Sequence, residues 1–189
     1  GSHMFGRPSV RFTGDDLTGE PDGTPLGSMV VAGWLQYALD TATTSHPKIT
    51  HLENVRFEGA EYGENSVNIS LSDGSHTEAA CLVGADGMRS PVRESLGITT
   101  QGRDYGQSVF TANVKLAAPH NGIARQLFTP EGPFATLPLP GQRANLAWYM
   151  KRGAAEALAA GPVEDIEAEL NHRFAGFAGE MTLDGPAGS

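Results

Sequence analysis

The residue types best suited to chemistry lie in one run: Leu82-Val83-Gly84-Ala85-Asp86-Gly87-Met88-Arg89-Ser90-Pro91-Val92-Arg93. An apolar strand end passes into a turn built on Gly84, Asp86 and Gly87, and a helix start follows. Glycines let a backbone approach a ligand closely, and the Asp86 carboxylate accepts a hydrogen bond from a hydroxyl. Ser90 stands where a side-chain oxygen caps a helix, and Pro91 where a fixed φ suits the first helical residue. The plain alternative is a strand–turn–helix whose Asp86 bonds amides of its own turn, as Asp does in many turns. On chemistry alone the turn reading is the stronger, and the ligand reading stays open beside it.

Other constellations are poorer. His46, His51, His76, His120 and His172 show no metal-ligand spacing with each other or with Cys81, and read as surface or turn residues. No GxSxG elbow is present, and Ser, His and Asp are too dispersed to suggest a triad. Trp34 and Trp148 fall on apolar stripes and are expected in the core. A single cysteine rules out an internal disulfide and fits a reducing compartment, so a cytoplasmic location is expected. The net charge of −9, with 13 basic residues scattered among 22 acidic ones, argues against a nucleic-acid partner. Such a partner needs clustered Lys and Arg to displace counterions from phosphates.

The elements that must position the run follow from periodicity. Hydrophobic residues make up 39% of the chain in alternating patterns, as in a globular protein, and no apolar stretch is long enough to span a bilayer. Gly1-Ser2-His3-Met4 reads as a scar of tag removal. Residues 5–27 are rich in Gly, Pro and Asp and read as loop, with a short strand at Val10–Phe12. Val31, Trp34, Leu35, Ala38, Leu39 and Ala42 form a helical stripe that His46-Pro47 ends. Val67, Ile69 and Leu71 then alternate, and Ser72-Asp73-Gly74 turns a hairpin whose return strand runs through Ala79, Cys81 and Val83. Gly97 stops the helix after Pro91.

The second half reads mostly as sheet. Phe110, Ala112, Val114 and Leu116 share one strand face, and 123–128, 134–139 and 144–150 give three more strands. Pro130-Glu131-Gly132-Pro133 and Gly141-Gln142 supply the turns. A short helix near 154–160 precedes one with Val163, Ile166, Leu170 and Phe174 on its apolar side. The expected fold class is α+β, a mixed or antiparallel sheet with flanking helices.

The whole string from Gly84 to Arg93 resembles the GADGxxSxVR segment of FAD-dependent aromatic-ring monooxygenases, the p-hydroxybenzoate hydroxylase superfamily. Asp86 and Gly87 match its Asp-Gly pair, and Gly84, Arg89, Ser90 and Arg93 complete the pattern. A second series agrees: Tyr105-Gly106-Gln107, Ala124-Arg125-Gln126-Leu127-Phe128, and Gly132 to Leu139 as G-P-F-A-T-L-P-L. It resembles the ubiquinone-biosynthesis branch, where such motifs build the substrate-domain sheet. Leu35-Gln36-Tyr37-Ala38-Leu39 matches the family's L-Q-x-x-L helix, whose Gln approaches the flavin, although an exposed polar role for Gln36 stands equally open.

The resemblance implies cofactor-binding roles for Asp86, Gly87, Gln36 and Arg89, and names no catalytic residue. It divides the chain after the first four residues into a partial FAD-domain region, 5–104, and a substrate-domain sheet with helices, 105–189. Neither a GxGxxG after a strand nor the family's later GDAAH segment occurs, which reads as an internal fragment of a two-domain enzyme. The intact enzyme is expected to use FAD, NAD(P)H and O2 to hydroxylate an aromatic ring, a ubiquinone precursor. The fragment by itself is expected to be inactive and to retain neither cofactor. Hydroxylation of another aromatic or polyketide-like substrate, or a non-catalytic binding or assembly module, are the competing readings. Expected partners are an aromatic small molecule, a peripheral membrane or biosynthetic-complex contact, and a second copy of the fragment.

Overall fold

Alternation along Gln107–Leu116 organises the larger of two sheets. In this computed structural model, which describes residues 10–19, 21 and 23–189, that segment is β4, with Phe110, Ala112, Val114 and Leu116 all buried on one side. β5 (Arg125–Phe128), β6 (Pro133–Leu139), β7 (Arg143–Lys151) and β8 (Met181–Leu183) complete an antiparallel sheet in the order β5-β6-β7-β4-β8. Two helices, α3 (Ala154–Ala159) and α4 (Val163–Ala178), follow β7. Ile166, Leu170 and Phe174 on α4 recur at helical spacing and are almost wholly buried with the inward residues of the sheet. The Phe174 ring stacks on Phe134 at 3.6 Å and meets Trp148 edge-on at 4.9 Å. Fully burying one such large apolar side chain is worth about 1.5–3 kcal/mol.

Two details close this unit. Gly132, with φ +145°, brings its backbone so near β7 that an added Cβ would lie 2.3 Å from the Tyr149 carbonyl oxygen, so the β5–β6 turn requires glycine. The Asn171 amide on α4 donates to the Met181 carbonyl and accepts from the Met181 N–H, each at 2.8 Å. This clamp holds β8, a strand too short to show in the periodicity.

A second compact unit spans Tyr37–Arg103; the first comprises the remainder, to Gln36 and from Asp104. β1 (Phe57–Tyr62), β2 (Val67–Leu71) and β3 (His76–Ala79) form an antiparallel meander, and α2 (Pro91–Ser95) follows. The Ser72-Asp73-Gly74 turn stands as expected: the Asp73 carboxylate accepts from the Ser75 hydroxyl and amide, and Gly74 takes φ +82°. α1 (Ala32–Ser45) ends before His46-Pro47, and its start and stop agree with the helical stripe.

Four expectations are corrected. The return strand stops at Ala79 and does not continue through Cys81 and Val83. Val67↔Ala79 is the last pair of the β2–β3 ladder, so among the described residues no strand runs alongside 80–83 to take up the backbone groups. Val10–Phe12 likewise forms no strand. Trp34 is 62% exposed rather than in the core, and no residue of α1 is buried, whereas Trp148 is buried as expected. Val163 begins α4 and is exposed. The expected tag scar, residues 1–4, lies outside the described residues.

Candidate functional site

Asp86 sits in an exposed loop, and its carboxylate is built into the start of α2. The Ser90 hydroxyl donates to Asp86 Oδ1, and the Val92 N–H donates to Asp86 Oδ2 at 3.1 Å. Ser90, itself buried, accepts the Arg93 N–H at 3.0 Å, so one serine both caps α2 and fastens the aspartate. Arg93 returns over the loop to donate to the Met88 carbonyl at 2.7 Å. The Ser90 hydroxyl first, then the Val92 amide, hold the Asp86 carboxyl below its ordinary range, so it stays ionised near neutrality. Each oxygen carries one bond from the protein, and a carboxylate has room for more.

The glycines do different work. A Cβ on Gly84 would come within 3.1 Å of Val92 Cγ1, so Gly84 lets the loop lie flat on the first turn of α2. Gly87 takes φ +88° with open space around it, which presents bare backbone to an approaching group. Arg89 is exposed next to it, as are Val83 and Met88, 79% and 88% respectively. An ionised acceptor, an open glycine backbone and exposed apolar flanks suit a ligand with hydroxyls and a flat apolar portion, and FAD has both features.

Of the four residues expected to contact the cofactor, the structure brings Asp86, Gly87 and Arg89 into one loop. Gln36 is exposed on α1 and falls in the other unit. The turn role for Asp86 is thus visible in its hydrogen bonds, and it leaves the carboxylate free to take a further donor. Ser90 as the partner of Asp86 was within reach of the sequence, since an N-cap four residues after an Asp places both at the same helix end.

The large sheet offers a second surface that motif reading did not resolve to residues. Its outward positions are half-exposed or exposed: Val109, Thr111 and Asn113 on β4, Asn145, Ala147 and Tyr149 on β7, Ala135 and Leu137 on β6. Across the strands Thr111 faces Ala147, Ala147 faces Ala135, and Ala135 faces Gln126. Small side chains thereby line the middle of the face, flanked by Tyr149 and Phe128 toward one end. On the helical side a cleft of about 700 Å³ is lined by Trp148, Met150, Leu158 and Arg173 among others. Arg173 is committed there to Glu169 at 2.5 Å and Glu131 at 3.2 Å, so that cleft presents no spare cation of its own from α4. Among the described residues no group of three or more His, Cys, Asp or Glu is arranged to hold a metal, and no helix is long and apolar enough to cross a membrane.

The chain matches the FAD binding domain family over residues 35–185. It is 38% identical over 162 residues to a ubiquinone hydroxylase, UbiL, of Rhodospirillum rubrum, covering 86% of this chain and 38% of that protein. It is 31% identical over 157 residues to the 3-demethoxyubiquinol 3-hydroxylase of Escherichia coli, covering 83% of this chain and 40% of that protein. The chain therefore spans about two fifths of the length of these curated relatives. Among solved structures, PqsL of Pseudomonas aeruginosa, described as a probable FAD-dependent monooxygenase, superposes with a TM-score of 0.63. The match has 21% identity and covers 80% of this chain and 46% of that one, which speaks for a shared fold.

Proposed function

The chain belongs to the FAD binding domain family, with ubiquinone hydroxylases among its homologues, and on that premise we propose that it supplies the substrate wall and one flavin-contacting loop of an aromatic-ring monooxygenase. The observation that carries the reading is the two-faced large sheet. One face is sealed by α4, and the other is left half-open and lined by small and aromatic side chains that fit a flat ring. The substrate class is an electron-rich aromatic ring of the ubiquinone-precursor kind.

Asp86, Gly87 and Arg89 would hold FAD, with Asp86 accepting from a cofactor hydroxyl, Gly87 admitting it against bare backbone and Arg89 offering a charge to its phosphates; Gln36 on α1 stands as a separate candidate contact. When bound and reduced by NAD(P)H, FAD supplies the activation of O2 that no side chain here can provide. The protein's share is position and dryness: Val109, Ala135, Leu137, Ala147 and Tyr149 place the ring and keep water from the reacting edge. A reducing, cytoplasmic setting suits the exposed, unpaired Cys81. The exposed Trp34, Leu35, Tyr37 and Leu39 of α1 would let the isolated chain associate with itself.

The test uses a full-length protein carrying this chain, supplied with FAD, NAD(P)H, a prenylated phenol and isotopically labelled dioxygen. One labelled oxygen atom should appear in the ring, as read by mass spectrometry. Flavin reduction and reoxidation with no label in any aromatic product would overturn the monooxygenase reading.

A further inference from the structure

The open sheet face carries one feature that a water-excluding wall does not require. Asn145 on β7, the central strand of the sheet, and Asn113 on β4 beside it stand directly opposite each other, and the Asn145 amide donates to Asn113 Oδ1 at 3.0 Å. Asparagine is depleted in strands, because its short amide competes for the backbone and packs poorly on a pleated surface. Two of them paired at half-buried central positions depart from strand preference twice, and such departures concentrate at working sites.

Their mutual bond uses one donor and one acceptor and leaves the rest of both amides open. Whichever way round the two amides are turned, the pair presents one NH2 group and one carbonyl to the open side. Trp148 Nε1 is the one side-chain polar atom found buried without a partner among the described residues, so the spare amide groups are not sealed in the sheet. Leu137 lies across from Asn145, and Ala147 and Thr111 occupy the next row, so a flat ring has room beside the pair. Next along the face, Arg143 and Lys115 are both turned onto Asp184, at 2.5 Å and 3.6 Å, so both cations beside the asparagines already have a carboxylate partner.

We infer that the Asn113–Asn145 pair is a specificity determinant of the open face, selecting aromatic rings that carry a free hydroxyl. A phenolic O–H donates and accepts at once, which matches one carbonyl and one NH2; a methyl ether accepts only, and a bare ring does neither. A site built to bond a hydroxyl rejects the analogue lacking it, because its own polar groups are then left unpaired. The inference rests on the substrate-wall reading and adds to it the two residues that would read the ring's hydroxyl.

The probes are guaiacol and its methyl ether veratrole, titrated by calorimetry into the flavin-loaded full-length protein. Guaiacol should bind about tenfold more tightly, the effect of one half-exposed hydrogen-bonding set. In Asn113→Val/Asn145→Val, which removes both partners and installs strand formers, the ratio should fall to about one while veratrole binding persists. A structural role alone would change both affinities together and leave the ratio unmoved. Should the double variant fail to fold, Asn145→Val by itself is read against the same ratio. Retention of the preference in the variant overturns the asparagine inference and leaves the ring site standing. Failure of both rings to bind the unaltered protein overturns the substrate-wall reading, and this inference with it.

Discussion

Residues 104–189 and residues 37–103 bring different resources to function. The first stretch buries Phe110, Phe134, Trp148, Phe174, Leu146 and Leu170 behind its sheet; the second buries Val67 and Val92 as its apolar residues, with Ser90 beside them. The outward residues of β4, β6 and β7 are therefore carried on strands that the packing behind them holds. On the second stretch side chains are held by turn chemistry: Asp73 on Ser75, Asp86 on Ser90 and Val92, Arg93 on Met88. A three-stranded sheet with so small a core sits near the lower limit of independent stability. The contrast suits the proposed division of labour, with a rigid wall against the ring and a backbone loop against the cofactor.

Core truncation breaks the comparison most severely. Phe174→Ala removes a ring stacked on Phe134 and edge-on to Trp148, and should cost about 3–5 kcal/mol. Val67→Ala, the matching cut in the smaller core, removes two carbons and should cost about 1–2 kcal/mol, since each buried methylene is worth about 0.8. Urea unfolding of the two variants compares them directly. Equal costs would mean that the hairpin unit is as tightly packed as the sheet, and the contrast would fail.

Next in size is the loop itself, where a cofactor role and a turn role are separable. In the full-length protein Asp86→Ala should weaken FAD binding by roughly ten- to hundredfold, the effect of one charge-assisted hydrogen bond. Ser90→Ala removes the cap of α2 and should cost about 1 kcal/mol of stability, changing flavin affinity by no more than about threefold. Flavin titrations and thermal melts of both variants separate the roles. Equal losses of affinity would show that Asp86 acts only through the geometry of its turn.

How much of this was legible in the sequence follows the same divide. The strand face of Phe110, Ala112, Val114 and Leu116 and the α4 stripe of Ile166, Leu170 and Phe174 were readable, because one-sided burial imprints a period of two or 3.6. Ser90, Pro91 and Gly97 were readable as a cap, a first residue and a stop, since each is a local rule. What escaped was non-local. Cys81 and Val83 alternate like a strand, but a strand also needs a neighbour, and β2 begins only at Val67, the partner of Ala79. Trp34 looked like core, but apolarity does not say what covers a helix. The Asn113–Asn145 pair was hidden because its residues are far apart in the chain and meet only through the β4–β7 register.

The smallest effect expected is a pH dependence that differs between the two stretches. Asp86 is held below its ordinary range by the Ser90 hydroxyl and the Val92 amide, and Asp104 by the Gly106 amide and then Arg152. For a carboxyl whose folded pKa is depressed, the stabilisation is fully present above the unfolded value, near about 3.9. It is lost as pH falls from there through the lower folded value, because protonation then removes an acceptor that the folded state uses and the unfolded state does not. Both carboxyls are exposed, so solvent screens the effect and the loss is local. Around Asp104 the adjoining β4–β7 ladder has a core behind it to keep the strands paired. Around Asp86 Val92 is the one buried apolar side chain, so acid should loosen α2 first. Amide exchange, corrected for its intrinsic acid dependence, should show Val92 and Arg93 losing protection as pH falls below about 4, while Phe110 and Leu146 keep theirs. In Asp86→Asn, which cannot titrate, the loosening at α2 should disappear. Val92 and Arg93 amides that stay as protected in acid as at neutral pH would remove the carboxylate from the account of what holds this loop.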